Sequence, residues 1–180
     1  GYNTSTSFHF DTIVNSDIPV GTIITNQVQI QYNSQTLPAT TFAASSSAAT
    51  ITVMGPPTIS KGFSPAVIDA GQTSVLSITV SNPAGSPQDL TGVGFTDTYP
   101  ANLLNTATPN PQVTCTPGST GGALINGSAN GNTIGMTGAT IKPNGYCIVT
   151  VNVTPNTVGN YPNTTSAVTS DNAGIGGTAS

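Results

Sequence analysis

The two cysteines are the residues whose chemistry the sequence indicates most directly. Cys115 and Cys147 are the only cysteines in 180 residues. Both lie in segments rich in β-branched and apolar residues, which is typical of strands. In an acidic chain with the composition of exported material, such a pair predicts one disulfide, with two buried free thiols as the alternative. A zinc site is not expected, because a single distant histidine, His9, cannot complete the ligand set.

Lys61 and Asp97 form the second pair of reactive groups. The chain has two lysines, six aspartates, no arginine and no glutamate. Lys61 nevertheless lies in the middle of a strand-like segment, and Asp97 is flanked by Phe95 and Tyr99. Buried lysines and aspartates are rare unless they are paired. The sequence therefore favours a buried Lys61–Asp97 pair over a solvated lysine and an aspartate that caps a turn.

No catalytic set of residues is evident. Since His9 is the only histidine, a Ser-His-Asp arrangement lacks its parts. The six aspartates are scattered and offer no evident pair for glycoside hydrolysis. Nucleophile-elbow, P-loop and dinucleotide-binding motifs are absent from the sequence. We expect a protein that is not an enzyme and that uses no cofactor and no metal.

The composition excludes several classes of function and favours one class of fold. Charged residues make up 4% of the chain, against about 25% in an ordinary soluble domain. Two lysines cannot neutralise a nucleic-acid backbone, and no apolar run is long enough to span a membrane. Thr, Ser, Asn, 20 Gly and 14 Pro are interleaved with Val and Ile, which predicts an all-β fold. A surface of hydroxyl and amide groups is typical of extracellular proteins.

The chain divides into two regions. In residues 1–54, Val28, Ile30 and Tyr32 alternate with three glutamines, which predicts a strand with one apolar face. Phe8 and Phe10 also alternate with polar residues. A few such strands do not form a stable core alone, so we expect residues 1–54 to pack on a neighbouring subunit or domain. The boundary is placed after Met54, because adjacent prolines follow and interrupt any sheet ladder.

Residues 55–180 are predicted to form a β-sandwich. Turn signals recur at short, regular spacing, and no segment has a sustained helical period. The predicted strands are Thr58–Phe63, Ser74–Ser81, Gly92–Thr98, Gln112–Cys115, Gly122–Ile125, Thr133–Met136, Tyr146–Val153 and Tyr161–Thr169.

Three phrases of this second region resemble a known family. They are Pro57–Pro65, Gly92–Pro100 and Gly159–Ser166. In order and spacing they are similar to the Ig-like repeat of bacterial cell-surface proteins, the domain-of-unknown-function family number eleven and its relatives. Tyr99 stands where that family usually has leucine. The resemblance implies an Ig-like β-sandwich in an extracellular, modular, structural protein, and residues 21–32 also resemble the closing strands of such a repeat.

The resemblance also implies a covalent cross-link. In several Ig-like surface domains a lysine of the first strand, an acid and an asparagine of the last strand react to form an isopeptide bond. The positions of Lys61, Asp97 and Asn163 resemble that arrangement. In a dry core, desolvation would keep the amine neutral and the acid protonated, as the reaction requires.

We expect a structural role outside the cell, as a subunit or segment of a filament, pilus-like fibre or sheath. The strand that carries Val28, Ile30 and Tyr32 would add to an open sheet edge of a neighbouring copy. Such head-to-tail contacts do not close, so they propagate into a homopolymer. The alternative is an adhesin or carbohydrate-binding module that binds surface glycans. Five Tyr, five Phe and no Trp argue against an aromatic sugar platform.

Overall fold

The computed structural model describes residues 7–33 and 41–180. Every regular element in these two ranges is a β-strand, so the fold is all-β, as the sequence predicts. In chain order the strands are β1 (Ile23–Asn26), β2 (Gln29–Asn33), β3 (Thr41–Ser45), β4 (Ala49–Thr52), β5 (Thr58–Ser64), β6 (Ser74–Ser81), β7 (Leu90–Thr98), β8 (Leu103–Asn105), β9 (Gln112–Cys115), β10 (Ala123–Asn126), β11 (Thr133–Ile141), β12 (Tyr146–Pro155), β13 (Thr169–Ser170) and β14 (Gly174–Ile175).

Strands β5 to β14 form a β-sandwich of two antiparallel sheets. The first sheet has the order β5-β6-β12-β8, and β9 also pairs with β12. The second sheet has the order β10-β11-β7-β13-β14. Strand β5 is an edge strand of the first sheet, and β7 lies inside the second.

The core lies between the two sheets. Because side chains of a strand alternate between its faces, β6 buries Leu76, Ile78 and Val80 while the residues between them remain more exposed. Strand β12 follows the same period. Among the described residues, the buried large apolar side chains (Val, Ile, Leu, Met, Phe and Tyr) all lie between Leu76 and Val168. The sandwich therefore has a hydrophobic core that contains no fully buried side chain from residues 7–33 or 41–54.

The N-terminal region forms a two-stranded ribbon. Strand β1 pairs with β4 and β2 pairs with β3, so residues 23–33 and 41–52 run antiparallel as one unit, here called the N-terminal ribbon. Between the two pairs, Ser46 N donates to Val28 O at 2.9 Å, which continues the ladder. Residues 7–22 contain no strand, so the alternation around Phe8 and Phe10 does not correspond to one.

The ribbon has one apolar face. Directly opposed residues of an antiparallel pair share a face, and Ile30 opposes Ala44 while Tyr32 opposes Phe42. The rings of Tyr32 and Phe42 stack with their centroids 5.3 Å apart. The other described residues leave about half of this face exposed, since Val28 is 48% exposed, Ile30 56% and Tyr32 55%. The strand predicted from the apolar pattern therefore forms, but its apolar side chains are not buried.

The base of the ribbon contacts one turn of the sandwich. Gly21 N donates to Val53 O at 2.9 Å, which joins the two chain segments at the base. Gly21 has a φ of +84°, and a Cβ there would lie 2.7 Å from Gly85 O. Only glycine allows this backbone-to-backbone approach. Residues 20–21 therefore rest directly on the turn that precedes β7.

Candidate functional site

Lys61 reaches the core from an edge strand. In β5, Ile59, Lys61 and Phe63 face the second sheet, while the residues between them are exposed. The side chain of Lys61 is only 2% exposed. The strand period thus places an ammonium group among apolar neighbours, where a charge is costly unless it is paired.

Asp97 of β7 is the partner of Lys61 across the sandwich. Its side chain is completely buried. Lys61 Nζ donates to both carboxylate oxygens of Asp97, at 3.3 Å and 3.2 Å. The pair therefore connects the first strand of one sheet to an inner strand of the other, and the structure brings together the two residues that the sequence favours as a pair.

Asn163 completes the cluster. Its Nδ2 donates to Asp97 Oδ2 at 3.0 Å, the same oxygen that Lys61 approaches. Asn163 is 7% exposed, and its Oδ1 is a buried atom with no hydrogen-bond partner. Lys61 and Asn163 thus bind the same buried carboxylate of Asp97, and the three residues are here called the core triad.

The segment that holds Asn163 departs from the predicted strand Tyr161–Thr169. Residues 163–170 run along β7 and return as residues 174–179, and this unit is here called the closing hairpin. Ser166 N donates to Thr96 O at 2.7 Å, but Thr96 N is bound by the side chain of Ser166 rather than by a main-chain carbonyl. The regular ladder is interrupted for this reason, and β13 has only two residues, Thr169 and Ser170.

The electrostatics of the core triad favour neutral groups. Burial raises the pKa of Asp97, and this outweighs the lowering by the charge of Lys61 and by the hydrogen bonds from Lys61 and Asn163. Burial likewise lowers the pKa of Lys61 against the attraction of Asp97. Both shifts have the same cause, since removal of water disfavours the charged form of each group. Both shifts are therefore towards the neutral form of the group, the free amine of Lys61 and the carboxylic acid of Asp97.

The unpartnered Asn163 Oδ1 has a chemical consequence. The oxygen and nitrogen of an amide exchange places on rotation about the Cβ–Cγ bond. In the rotated orientation Oδ1 would face Asp97 Oδ2, and a protonated Asp97 would donate a hydrogen bond to it. An acid that donates to an amide oxygen makes the carbonyl carbon more electrophilic.

The disulfide predicted from the sequence is present. Cys115 of β9 and Cys147 of β12 are directly opposed in the ladder and are joined by a bond of 2.02 Å. The described residues include no free cysteine. Of the described strands, only β12 pairs with β9, so the bond attaches β9 covalently to a central strand of the first sheet.

The remaining candidate residues lie outside the core triad. Val28, Ile30 and Tyr32 belong to the N-terminal ribbon, and His9 is exposed beside Asp11. Within residues 7–33 and 41–180, no group of three His, Cys, Asp or Glu residues could hold a metal ion. The same ranges contain no helix of the length and apolarity needed to cross a membrane.

One feature of the sandwich has no counterpart in the sequence prediction. A cleft of about 460 Å³ opens between the loop that follows β5 and the loop that follows β12. Its walls include Val67 and Val158, which are 89% and 93% exposed, and Tyr161. Its two walls are loops far apart in sequence, so only the folded chain brings them together.

Comparison with known proteins identifies the family. Residues 57–180 match the family described as Domain of unknown function (DUF7933). The chain belongs to this family. The match does not confirm the family number eleven that the three phrases resemble. It begins at Pro57, so the N-terminal ribbon lies outside the matched range, and the boundary after Met54 stays a prediction.

A solved structure of similar outline is the collagen-binding domain from a Staphylococcus aureus adhesin. It has 13% sequence identity and a TM-score of 0.36, over 72% of this chain and 98% of that domain. No curated protein matches the chain.

Proposed function

We propose that this chain is a structural segment of an extracellular filament, in which successive units join head to tail through the N-terminal ribbon. The role is structural and not enzymatic. The observation that carries the proposal is the apolar face of the ribbon, which pairs with no third strand among the described residues and covers no core. Location outside the cell is supported by the disulfide and by a surface almost free of charge.

The ribbon has the properties of an assembly element. Two strands with one apolar face are marginal in water, and a third strand or a second layer stabilises them. Among the described strands, none outside the ribbon pairs with its outer edges, which favours strand addition by another chain. Lysine, the usual deterrent of edge pairing, is absent from residues 1–54. A neighbouring copy of the chain would supply both the apolar surface and the hydrogen-bonding edge.

The contact would also propagate. The ribbon and the sandwich are different surfaces, so a contact between the ribbon of one copy and the sandwich of the next leaves a free ribbon at the other end. Contacts of this kind form open fibres unless their rotation closes a ring. The expected partners are copies of the same chain.

The core triad supports a mechanical role, because its chemistry can join the two ends of the sandwich. The neutral amine of Lys61 attacks Cγ of Asn163, so that an Nζ–Cγ bond forms and the Cγ–Nδ2 bond breaks. Nδ2 leaves as ammonia after it takes up a proton from the amine. Asp97 carries that proton and is unchanged at the end. The product is an isopeptide bond between β5 and the start of the closing hairpin.

Such a bond would alter how the sandwich carries tension. Force applied at residues 57 and 180 would enter near one bonded residue, Lys61, and leave near the other, Asn163. The covalent link would therefore protect residues 62–162 from extension. Intact mass spectrometry tests the bond, which removes one ammonia from the chain. A Lys61→Met variant should retain the full mass.

Negative-stain electron microscopy of the purified chain tests the filament. We expect fibres with an axial repeat of one subunit. An Ile30→Asp variant should abolish them, because it places a charge on the apolar face of the ribbon. Gln29→Asp, on the opposite face of the same strand, is the matched control and should still assemble. Isolated particles at all concentrations would refute self-assembly.

The cleft between the loops after β5 and β12 favours a second candidate function, an adhesin or carbohydrate-binding module. Phe63 and Tyr161 are the aromatic residues in its wall, and the Tyr161 hydroxyl is hydrogen-bonded to Thr157. A monomer that binds immobilised glycans, and that loses this binding in Tyr161→Ala, would favour this function over the filament.

A further inference from the structure

We propose that the rings of Phe63 and Tyr161 are positioning groups for the core triad, because they separate it from the water of the cleft between the loops that follow β5 and β12. This inference rests on the cross-linking reaction proposed above. It assigns a role in that reaction to two side chains that do not themselves react.

Both aromatic residues are close neighbours of a reacting residue along the chain. Because alternate residues of a strand share a face, Phe63 follows Lys61 on the side of β5 that faces the second sheet. Two residues of a strand span about 6.5 Å, so the ring lies directly beside the lysine. Tyr161 precedes Asn163 by two residues in the segment that leads into the closing hairpin. The two rings thus lie next to the amine and the amide that would be joined.

The cleft reaches the two rings and not the groups behind them. Phe63 and Tyr161 both line the cleft of about 460 Å³, and no residue of the core triad lines it. Both rings are partly buried and pack against the hydrophobic core. The side chain of Lys61 is only 2% exposed, and that of Asp97 is completely buried. On this side of the triad, the rings are therefore the boundary between water and the dry core.

The ring of Tyr161 is held in place at its outer end. Its hydroxyl donates to Thr157 O at 2.5 Å and lies 2.9 Å from Thr157 Oγ1. These contacts connect the ring to the loop that follows β12. The ring can therefore turn away from the core only if these hydrogen bonds break.

The exclusion of water matters because only the neutral groups react. The amine of Lys61 attacks without its proton, and Asp97 polarises the amide of Asn163 as an acid. Burial is the largest cause of the lowered pKa of Lys61 and of the raised pKa of Asp97. Water beside the pair would favour the ammonium and the carboxylate, which hold the same number of protons but do not react. The two rings therefore maintain the reactive form.

The other titratable groups near the core triad do not take over this role. Tyr99 stays neutral, because burial and the charge of Asp97 both raise its pKa. Its hydroxyl donates to Asn105 Oδ1 at 3.0 Å and is thus engaged away from the triad. Asp69 lines the cleft on the water side of the rings and is exposed. Access of water is therefore the variable that the two rings control.

The rate of ammonia loss tests the effect of the rings on the reaction. Chains isolated in denaturant, before the bond can form, are refolded and followed by intact mass spectrometry. Tyr161→Ala and Phe63→Ala should slow the loss, by about tenfold for each unit by which the two pKa values move apart. Tyr161→Phe keeps the ring and should react as fast as the unsubstituted chain. Val158→Ala changes a residue of the same cleft that is 93% exposed, and it should have no effect.

A titration that does not need the bond separates this inference from the cross-linking proposal. In an Asn163→Ala background no bond can form, and NMR of the Asp97 carboxyl carbon reports its pKa. Addition of Tyr161→Ala or Phe63→Ala should lower this pKa toward the ordinary value of 3.8, because water stabilises the carboxylate. Tyr161→Phe and Val158→Ala should leave it unchanged.

The two measurements together decide between the proposals. An unchanged pKa of Asp97 in both alanine variants would overturn the inference, even if ammonia loss is slower, because a displaced Asn163 would then explain the slower reaction. If the unsubstituted chain loses no ammonia but the pKa of Asp97 falls in the alanine variants, the cross-linking proposal fails. The rings would then still be the groups that exclude water from the core triad.

Discussion

The sandwich and the N-terminal ribbon use the same local pattern with opposite results. Both consist of antiparallel strands in which apolar and polar residues alternate. In the sandwich, Ile78 and Val149 are buried against a second sheet, whereas in the ribbon Ile30 is 56% exposed. The difference shows that alternation decides whether a strand forms, while a facing layer decides whether its apolar side chains stabilise the fold.

The largest effect is expected from a change that breaks the core triad. Asp97→Ala removes the partner of Lys61 and leaves a buried amine without its acceptor. Breaking a buried pair in this way costs about 3–5 kcal/mol. Chemical denaturation should therefore show a large loss in the free energy of unfolding of the sandwich.

The double variant Lys61→Met/Asp97→Asn provides the control for this prediction. It removes both charges, so it should be considerably more stable than Asp97→Ala alone. Equal stability of the two variants would mean that an unpaired Lys61 costs nothing, which contradicts its burial. The ribbon, which includes none of these residues, should exchange its amide protons equally in both.

The disulfide gives the next largest effect. Replacement of Cys115 and Cys147 by serine removes a cross-link between residues 32 positions apart. In the chain-entropy model this lowers the free energy of unfolding by about 3–4 kcal/mol. Denaturation of the double variant, with reduced wild-type protein for comparison, measures the loss. An unchanged free energy in both would show that β9 contributes nothing to the cooperative unit.

The pH dependence of stability probes the core triad more finely. Burial raises the pKa of Asp97 above its ordinary value of 3.8. The stability that Asp97 contributes is therefore fully present below pH 3.8 and is lost as the pH rises through the folded-state pKa. This is the reverse of the usual behaviour of a carboxylate in an ion pair.

The variants Lys61→Met and Lys61→Met/Asp97→Asn isolate this contribution. Removal of Lys61 takes away the charge that opposes the shift and also prevents the cross-link. The difference in unfolding free energy between the two variants should fall with rising pH, by at most about 1.4 kcal/mol per pH unit. A difference that stays constant with pH would mean that the pKa of Asp97 is the same in the folded and unfolded chains.

Much of the fold could be predicted because the pattern is local. Strands β6 and β9 have the predicted bounds, Ser74–Ser81 and Gln112–Cys115, because turn residues enclose clear alternation. The sequence does not predict strand β8. It has three residues, too few to show an alternating apolar pattern, and it forms because it pairs with the end of β12.

The site could be predicted only in part, because its geometry depends on how the sheets pack. The rarity of lysine and the apolar neighbours of Asp97 point to a pair. The prediction that Asn163 joins this pair rests on the family resemblance and not on residue types. The unpartnered Oδ1 of Asn163, the lowered pKa of Lys61 and the raised pKa of Asp97 all result from burial between the two sheets. A local sequence pattern does not contain this burial.

The smallest predicted effect tests the opening comparison most directly. Ile78→Val deletes one methylene group from the packed core and should cost about 0.5–1.5 kcal/mol. Ile30→Val makes the same change on the uncovered ribbon face, and should alter the free energy of unfolding by less than about 0.5 kcal/mol. Denaturation of both variants at a concentration where the chain is monomeric measures the two costs. If Ile30→Val costs as much as Ile78→Val, the ribbon face is already covered within the monomer. It would then be unavailable to a neighbour, and the exposed ribbon could not join units into a fibre.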